Sequence, residues 1–150
     1  MNLIEHLLTT DAIRLKAKAD DWKEAVRLGV DLLVAADSVE PRYFDAIIAM
    51  TESLGPWYLL APGLAMPHAR PEEGVKKDGF ALVTLDRPVA FGSPDNDPID
   101  ILITLAATSA KTMNEESIVQ VATLFDDEER VARIRNARNH AEIERILGDI

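Results

Sequence analysis

Between Ile99 and Ala107 the apolar residues Ile99, Ile101, Ile103, Leu105 and Ala107 alternate with a second series that becomes apolar at Leu102 and Ala106. An extended chain that is apolar on both faces must be covered on both sides, so this segment reads as a strand in the middle of a sheet. Phe80 to Leu85 reads as another mostly buried strand, and Pro88 to Phe91 as a short edge strand. The run Gly92-Ser93-Pro94-Asp95-Asn96-Asp97-Pro98 is saturated with turn formers and predicts a surface loop. Trp57 to Ala61 and Leu64 to Met66 are strand pieces broken by Pro62-Gly63, and Ala12 to Ala17 predicts one further strand.

Helical periodicity surrounds this sheet. After a short helix over residues 3–8, Trp22, Ala25, Val26, Gly29, Val30, Leu33 and Val34 recur at helical spacing behind the cap residues Asp20 and Asp21, predicting a helix to about Ala36. Pro41 suits a first helical turn, the residues Tyr43, Phe44, Ile47, Ile48, Met50 and Leu54 supply an apolar face, and Gly55-Pro56 ends it. These two helices read as an antiparallel pair. In the last third, Asn114 is a cap for Glu115 to Phe125, Asp126 for Asp127 to about Arg135, and Asn139 for a final helix carrying Ile143, Ile146 and Leu147. Strands in the middle with helices before and after them indicate an α/β domain over residues 1–150, its sheet flanked by helices on both faces.

Composition removes several classes of chemistry. There is no cysteine, which excludes a disulfide framework, a thiolate metal site and thiol catalysis. A formal charge of −10 argues against nucleic acid or an anionic membrane as partner, because both need a basic footprint. No apolar run approaches the roughly 18 residues that span a bilayer, and no basic leader opens the chain, so a cytoplasmic location is expected. The dispersed histidines lack metal-ligand spacing, which disfavours a metal-dependent hydrolase; no metal and no organic cofactor is expected.

The three histidines are not equivalent. His6 and His140 read as ordinary surface residues without partners. His68 stands between Pro67 and Pro71, at the end of an apolar strand-like run. Each proline disfavours helical geometry in the residue before it, so Met66 and Arg70 are biased toward extended backbone. Alternation then puts His68 and Arg70 on one side of the chain and Ala69 on the other. From spacing alone, a structural histidine and a nucleophile beside a fixed cation are both open readings.

The run Leu60-Ala61-Pro62-Gly63-Leu64-Ala65-Met66-Pro67-His68-Ala69 resembles the active-site signature of the enzyme IIA components of the bacterial phosphoenolpyruvate sugar phosphotransferase system, in the mannitol/fructose superfamily. The likeness extends over nearly the whole chain: Leu105-Ala106-Ala107 before a helix, then Phe125-Asp126-Asp127 and a terminal helical pair, follow the order of such a domain. His68-Ala69-Arg70-Pro71-Glu72 is most similar to the ascorbate-type members. The pattern departs from the mannitol members at two places. Asn114 stands where they carry a second histidine, and Met50 where they have an arginine in the preceding helix.

The resemblance implies the mannitol-type IIA fold, a central mixed β-sheet flanked by α-helices on both faces. It implies a phosphohistidine carrier in which His68 accepts a phosphoryl group from phospho-HPr on Nε2 and passes it to a cysteine of enzyme IIB, the membrane permease IIC being served indirectly. L-ascorbate is the implied substrate; a regulatory nitrogen-type protein, whose phosphorylation state controls a binding partner, is the alternative. A neutral imidazole suffices as nucleophile near pH 7, with Nδ1–H held by a carbonyl or carboxylate to set the tautomer. Arg70 would balance phosphoryl charge with its planar fork, and Asn114 could donate a hydrogen bond. Lys76 and Lys77 read as solvated charges on a turn after Gly74. Leu64, Met66, Trp57 and Phe91 either rim the site or belong to the core.

Overall fold

The computed structural model describes residues 2–150. Five strands form one mixed sheet in the order β1-β4-β5-β3-β2, where β1 is Ile13–Ala17, β2 Leu59–Ala61, β3 Leu64–Ala65, β4 Gly79–Val89 and β5 Ile99–Ala106. The central position of β5 is the one its two-faced apolar pattern requires. β5 runs antiparallel to β4, with Leu82 opposite Ile103, and parallel to β3, with Leu64 opposite Ile101.

Alternation along β4 and β5 divides the core in two. Val83, Leu85, Leu102 and Ala106 face α2 (Trp22–Ala35) and α3 (Arg42–Leu54), packing with Val26, Val30, Leu33, Tyr43 and Ile47. Phe80, Leu82, Ile101, Ile103 and Leu105 face the opposite layer, made by α1 (Leu3–Thr10), α6 (Glu128–Asn136), α7 (His140–Gly148) and the helical segment after β5. Burying side chains of this size is worth roughly 1.5–3 kcal/mol each, which is why neither layer can leave the sheet. Gly29 of α2 lies so close to the Thr104 side chain that a Cβ would collide with its hydroxyl.

Several boundaries differ from expectation for identifiable reasons. Pro88 to Phe91 is not a separate edge strand, because β4 continues to Val89, which pairs with Ile99. Asp86, Arg87 and Pro88 are exposed at an irregularity in the β4–β5 ladder, where proline need not donate a hydrogen bond. Asn114 does not cap a helix. Ser109 does: its hydroxyl accepts the Thr112 N–H at 3.0 Å, and the chain continues through α4 (Ala110–Thr112), a π-helical turn at Met113–Ser117 and α5 (Ile118–Leu124). Asp127 rather than Asp126 caps α6, accepting N–H bonds from Glu129 and Arg130, while Asp126 belongs to the turn that closes α5, its N–H donating to Thr123 O.

His6 is buried, not a surface residue. Leu3, His6 and Leu7 form the inward face of α1, and the imidazole meets the Phe80 ring edge-on at 5.9 Å. His140 is half-exposed at the start of α7, with Nδ1 2.6 Å from the Asp11 carboxylate, so it is not without a partner.

Candidate functional site

Met66 to Arg70 leave the sheet as an extended strap whose geometry follows from where its backbone groups can bond. The Met66 N–H donates to Tyr58 O at 3.0 Å, and the Leu105 N–H donates to Pro67 O at 3.0 Å. Beyond Pro67 no strand is available for pairing, and a side chain takes over. The Ala69 N–H donates to the Tyr43 hydroxyl at 2.9 Å, while that hydroxyl donates to Leu105 O at 2.6 Å. One buried tyrosine thus ties α3, the strap and the end of β5 together, and burial pushes its phenol well above the usual range. On the other side, Tyr58 bonds Thr51 at 2.9 Å, and burial holds its phenol up at about 12.

His68 is held at the middle of this strap, 8% exposed. Its Nδ1 is 2.8 Å from Met66 O. A carbonyl oxygen can only accept, so Nδ1 carries the proton and Nε2 the lone pair. Burial lowers the imidazole pKa, and the Met66 hydrogen bond opposes that only in part, so the ring is neutral at pH 7. Among the described residues Nε2 has no hydrogen-bond partner, and it is not a sealed buried atom. It belongs to a ring that lines a cavity of about 210 Å³ together with Met50, Trp57, Arg70, Ala110, Met113 and Asn114.

All three residues singled out for the site, His68, Arg70 and Asn114, line this one cavity. Arg70 is exposed, and among the described residues no carboxylate pairs with it, so its fork is available to an anion. Asn114 projects from the π-helical turn, a distortion that widens a helix locally and re-aims its side chains. Met50 also lines the wall. Lys76 does not contribute: its ammonium is 2.7 Å from Asp37 in an exposed ion pair.

The expected rim is only partly formed. Leu64 and Phe91 are buried in the two core layers, whereas Trp57 is 40% exposed and contacts His68 directly, the ring centroids being 4.5 Å apart with planes at 89°. Sequence reasoning missed the Tyr43 hydroxyl clamp entirely, because Tyr43 reads simply as one apolar position of α3. The Trp57 contact had a usable signal in Pro62-Gly63, the turn that folds β2 back on β3.

Residues 6–149 match the family model described as phosphoenolpyruvate-dependent sugar phosphotransferase system, EIIA 2. The chain is 57% identical over 143 residues to the ascorbate-specific PTS system EIIA component of Shigella boydii, covering 95% of this chain and 93% of that one. It is similar to the solution structure of the mannitol-specific cryptic phosphotransferase enzyme IIA CmtB from Escherichia coli, with 32% identity, a TM-score of 0.86 and full coverage of both chains. A complex of enzyme IIAMtl with phosphorylated enzyme IIBMtl from Escherichia coli is also similar, at 27% identity and a TM-score of 0.80 over 93% of this chain and 96% of that one.

Proposed function

The chain belongs to the phosphoenolpyruvate-dependent sugar phosphotransferase system EIIA 2 family, and on that premise we propose that His68 takes a phosphoryl group from phosphorylated HPr and hands it to a cysteine of a cognate enzyme IIB, in the service of L-ascorbate uptake. The substrate rests on the ascorbate-specific relative, with which the chain shares more than half of its aligned residues. The acceptor rests on the mannitol relative seen with its phosphorylated IIB partner. No helix among the described residues is long and apolar enough to cross a membrane, so the permease IIC would be reached through IIB. The cytoplasm, where those partners' phosphoryl chemistry takes place, is the proposed location.

One observation carries the reading: a neutral imidazole anchored at Nδ1, with Nε2 open, lines the same cavity as an unpaired arginine. In the forward step the Nε2 lone pair attacks phosphorus in line with the donor. A nitrogen–phosphorus bond forms as the donor's bond to phosphorus breaks, and that bonding pair returns to the donor's leaving atom. The Nδ1 proton stays in place throughout, so His68 becomes an imidazolium bearing the phosphoryl group, steadied by Met66 O. Phosphoryl transfer asks mainly for positioning and for dispersal of charge over three oxygens. Arg70 supplies the cation and two fork-like donors, and Asn114 an amide donor. Transfer to a IIB thiolate reverses the bond changes and restores neutral His68.

The test is incubation with phosphorylated HPr followed by mass spectrometry. One added phosphoryl group is expected on the native chain and none on His68→Ala. Label retained by His68→Ala, or mapped to another residue, overturns the assignment. Chase with a IIB protein should empty the label onto its cysteine.

A further inference from the structure

Trp57 follows the Gly55-Pro56 stop of α3, in a turn closed by its own N–H to Gly55 O at 2.8 Å and by the Leu59 N–H to Pro56 O at 3.3 Å. Its indole is backed by Tyr58, with ring centroids 5.4 Å apart, and Tyr58 is itself fully buried and bonded to Thr51. The indole is therefore braced by a buried ring and also meets the His68 ring, with centroids 4.5 Å apart and planes at 89°. A single hydrogen bond at Nδ1 leaves an imidazole free to pivot. A braced ring perpendicular to it at 4.5 Å restricts that freedom, because rotation toward the indole drives one set of ring atoms into the other.

We propose that Trp57 is a positioning residue for phosphoryl transfer, a fixed wall that holds the His68 imidazole with Nε2 toward the cavity and screens the ring from water. The inference rests on His68 being the phosphoryl acceptor. Screening has a distinct consequence, since burial is the main cause that keeps the ring from protonating. Among the described residues, the groups that line the cavity with His68 contain one charge. α3 contributes Met50; the segment after β5 contributes Ala110, Met113 and Asn114; and the strap contributes Arg70, the sole charged side chain of the cavity lining among the described residues. Removing Trp57 thus alters hydration while leaving the surrounding charges unchanged.

The experiment compares the native chain, Trp57→Ala, Trp57→Leu and His68→Ala. It measures phosphoryl acceptance from phosphorylated HPr at saturating donor between pH 5.5 and 8, together with the His68 titration midpoint by ring NMR. Both Trp57 variants should lose about tenfold or more in the saturating rate, the loss expected when a nucleophile is no longer held in line. Their His68 midpoint should rise toward 6.5, carrying the acid limb of the rate profile with it. Leucine keeps apolar volume at the site, so Trp57→Leu reads the effect even where alanine costs the fold. A native saturating rate with an unmoved His68 midpoint overturns the proposal, as does a loss confined to the donor concentration needed for half-maximal rate, which would make Trp57 a docking contact. Label uptake by His68→Ala instead overturns the acceptor assignment itself.

Discussion

Tyr43→Phe tests whether one hydroxyl holds the strap. The substitution keeps the ring and its packing, and removes the oxygen that accepts from Ala69 N–H and donates to Leu105 O, in a side chain with no solvent exposure. Each buried backbone group left unpaired costs about 1–3 kcal/mol, while removing the hydroxyl's own desolvation penalty returns part of that. The net loss should be about 1.5–3 kcal/mol. With an m-value of about 1–3 kcal/mol/M in urea, the midpoint should fall by about 1 M at unchanged m. Tyr58→Phe is the matched control. Among the described residues its hydroxyl bonds the Thr51 side chain alone, and Thr51 keeps its own bond to Ile47 O at 2.7 Å when that hydroxyl is removed, so the cost should stay at about 1 kcal/mol. Because the freed groups flank His68, Tyr43→Phe should also slow phosphoryl acceptance, and Tyr58→Phe should do so much less. Equal midpoints for Tyr43→Phe and the native chain would refute the reasoning, since the clamp would then carry no net free energy.

Three further outcomes are expected. Gly29→Ala should destabilise the fold by about 1–3 kcal/mol in urea unfolding, because the added methyl meets the Thr104 hydroxyl across the α2–sheet contact, and Gly29→Ala combined with Thr104→Ala should recover much of it. His6 is buried with Nε2 unpartnered and its pKa lowered first by desolvation and then by Lys77. The unfolded chain therefore binds protons more readily, so stability should be lost as pH falls from 6.5 toward the lower folded value; His6→Leu should flatten part of that slope, His68 retaining the remainder. Arg70→Ala should lower the rate of phosphoryl acceptance by about 10²-fold, as for loss of one charge-stabilising donor, and Arg70→Lys should recover only part because an ammonium cannot bind two oxygens at once; equal rates would remove Arg70 from the site.

Much of the architecture was legible because each element's local pattern agrees with its place in the fold. The apolar run at Ile99 to Ala107 could be satisfied only between two layers, and β5 does lie at the centre of the sheet with a core on each face. Pro67 and Pro71 restricted the backbone around His68 enough to predict that His68 and Arg70 share a side, and both line one cavity. Boundaries failed where two capping residues compete within a few positions, as with Asp126 and Asp127, since the choice depends on how the preceding helix ends. His6 was misread because α1 is short, although Leu3, His6 and Leu7 have the spacing of one helical face.

By itself the chain determined the alternation that builds the sheet, the helical stripes that cover it, and a proline-bracketed histidine whose neighbours are biased toward extended backbone, because these follow from backbone sterics and side-chain period within a few residues. Only the tertiary structure decided which groups surround that histidine. The Met66 carbonyl that selects its tautomer is only two residues away, but the Tyr43 hydroxyl that replaces a missing strand, the Trp57 ring that walls it, and the helical turn that brings Asn114 to the cavity Arg70 also lines come from other elements of the fold. Buried polar groups must find partners wherever the packing puts them, and that demand acts through space rather than along the sequence.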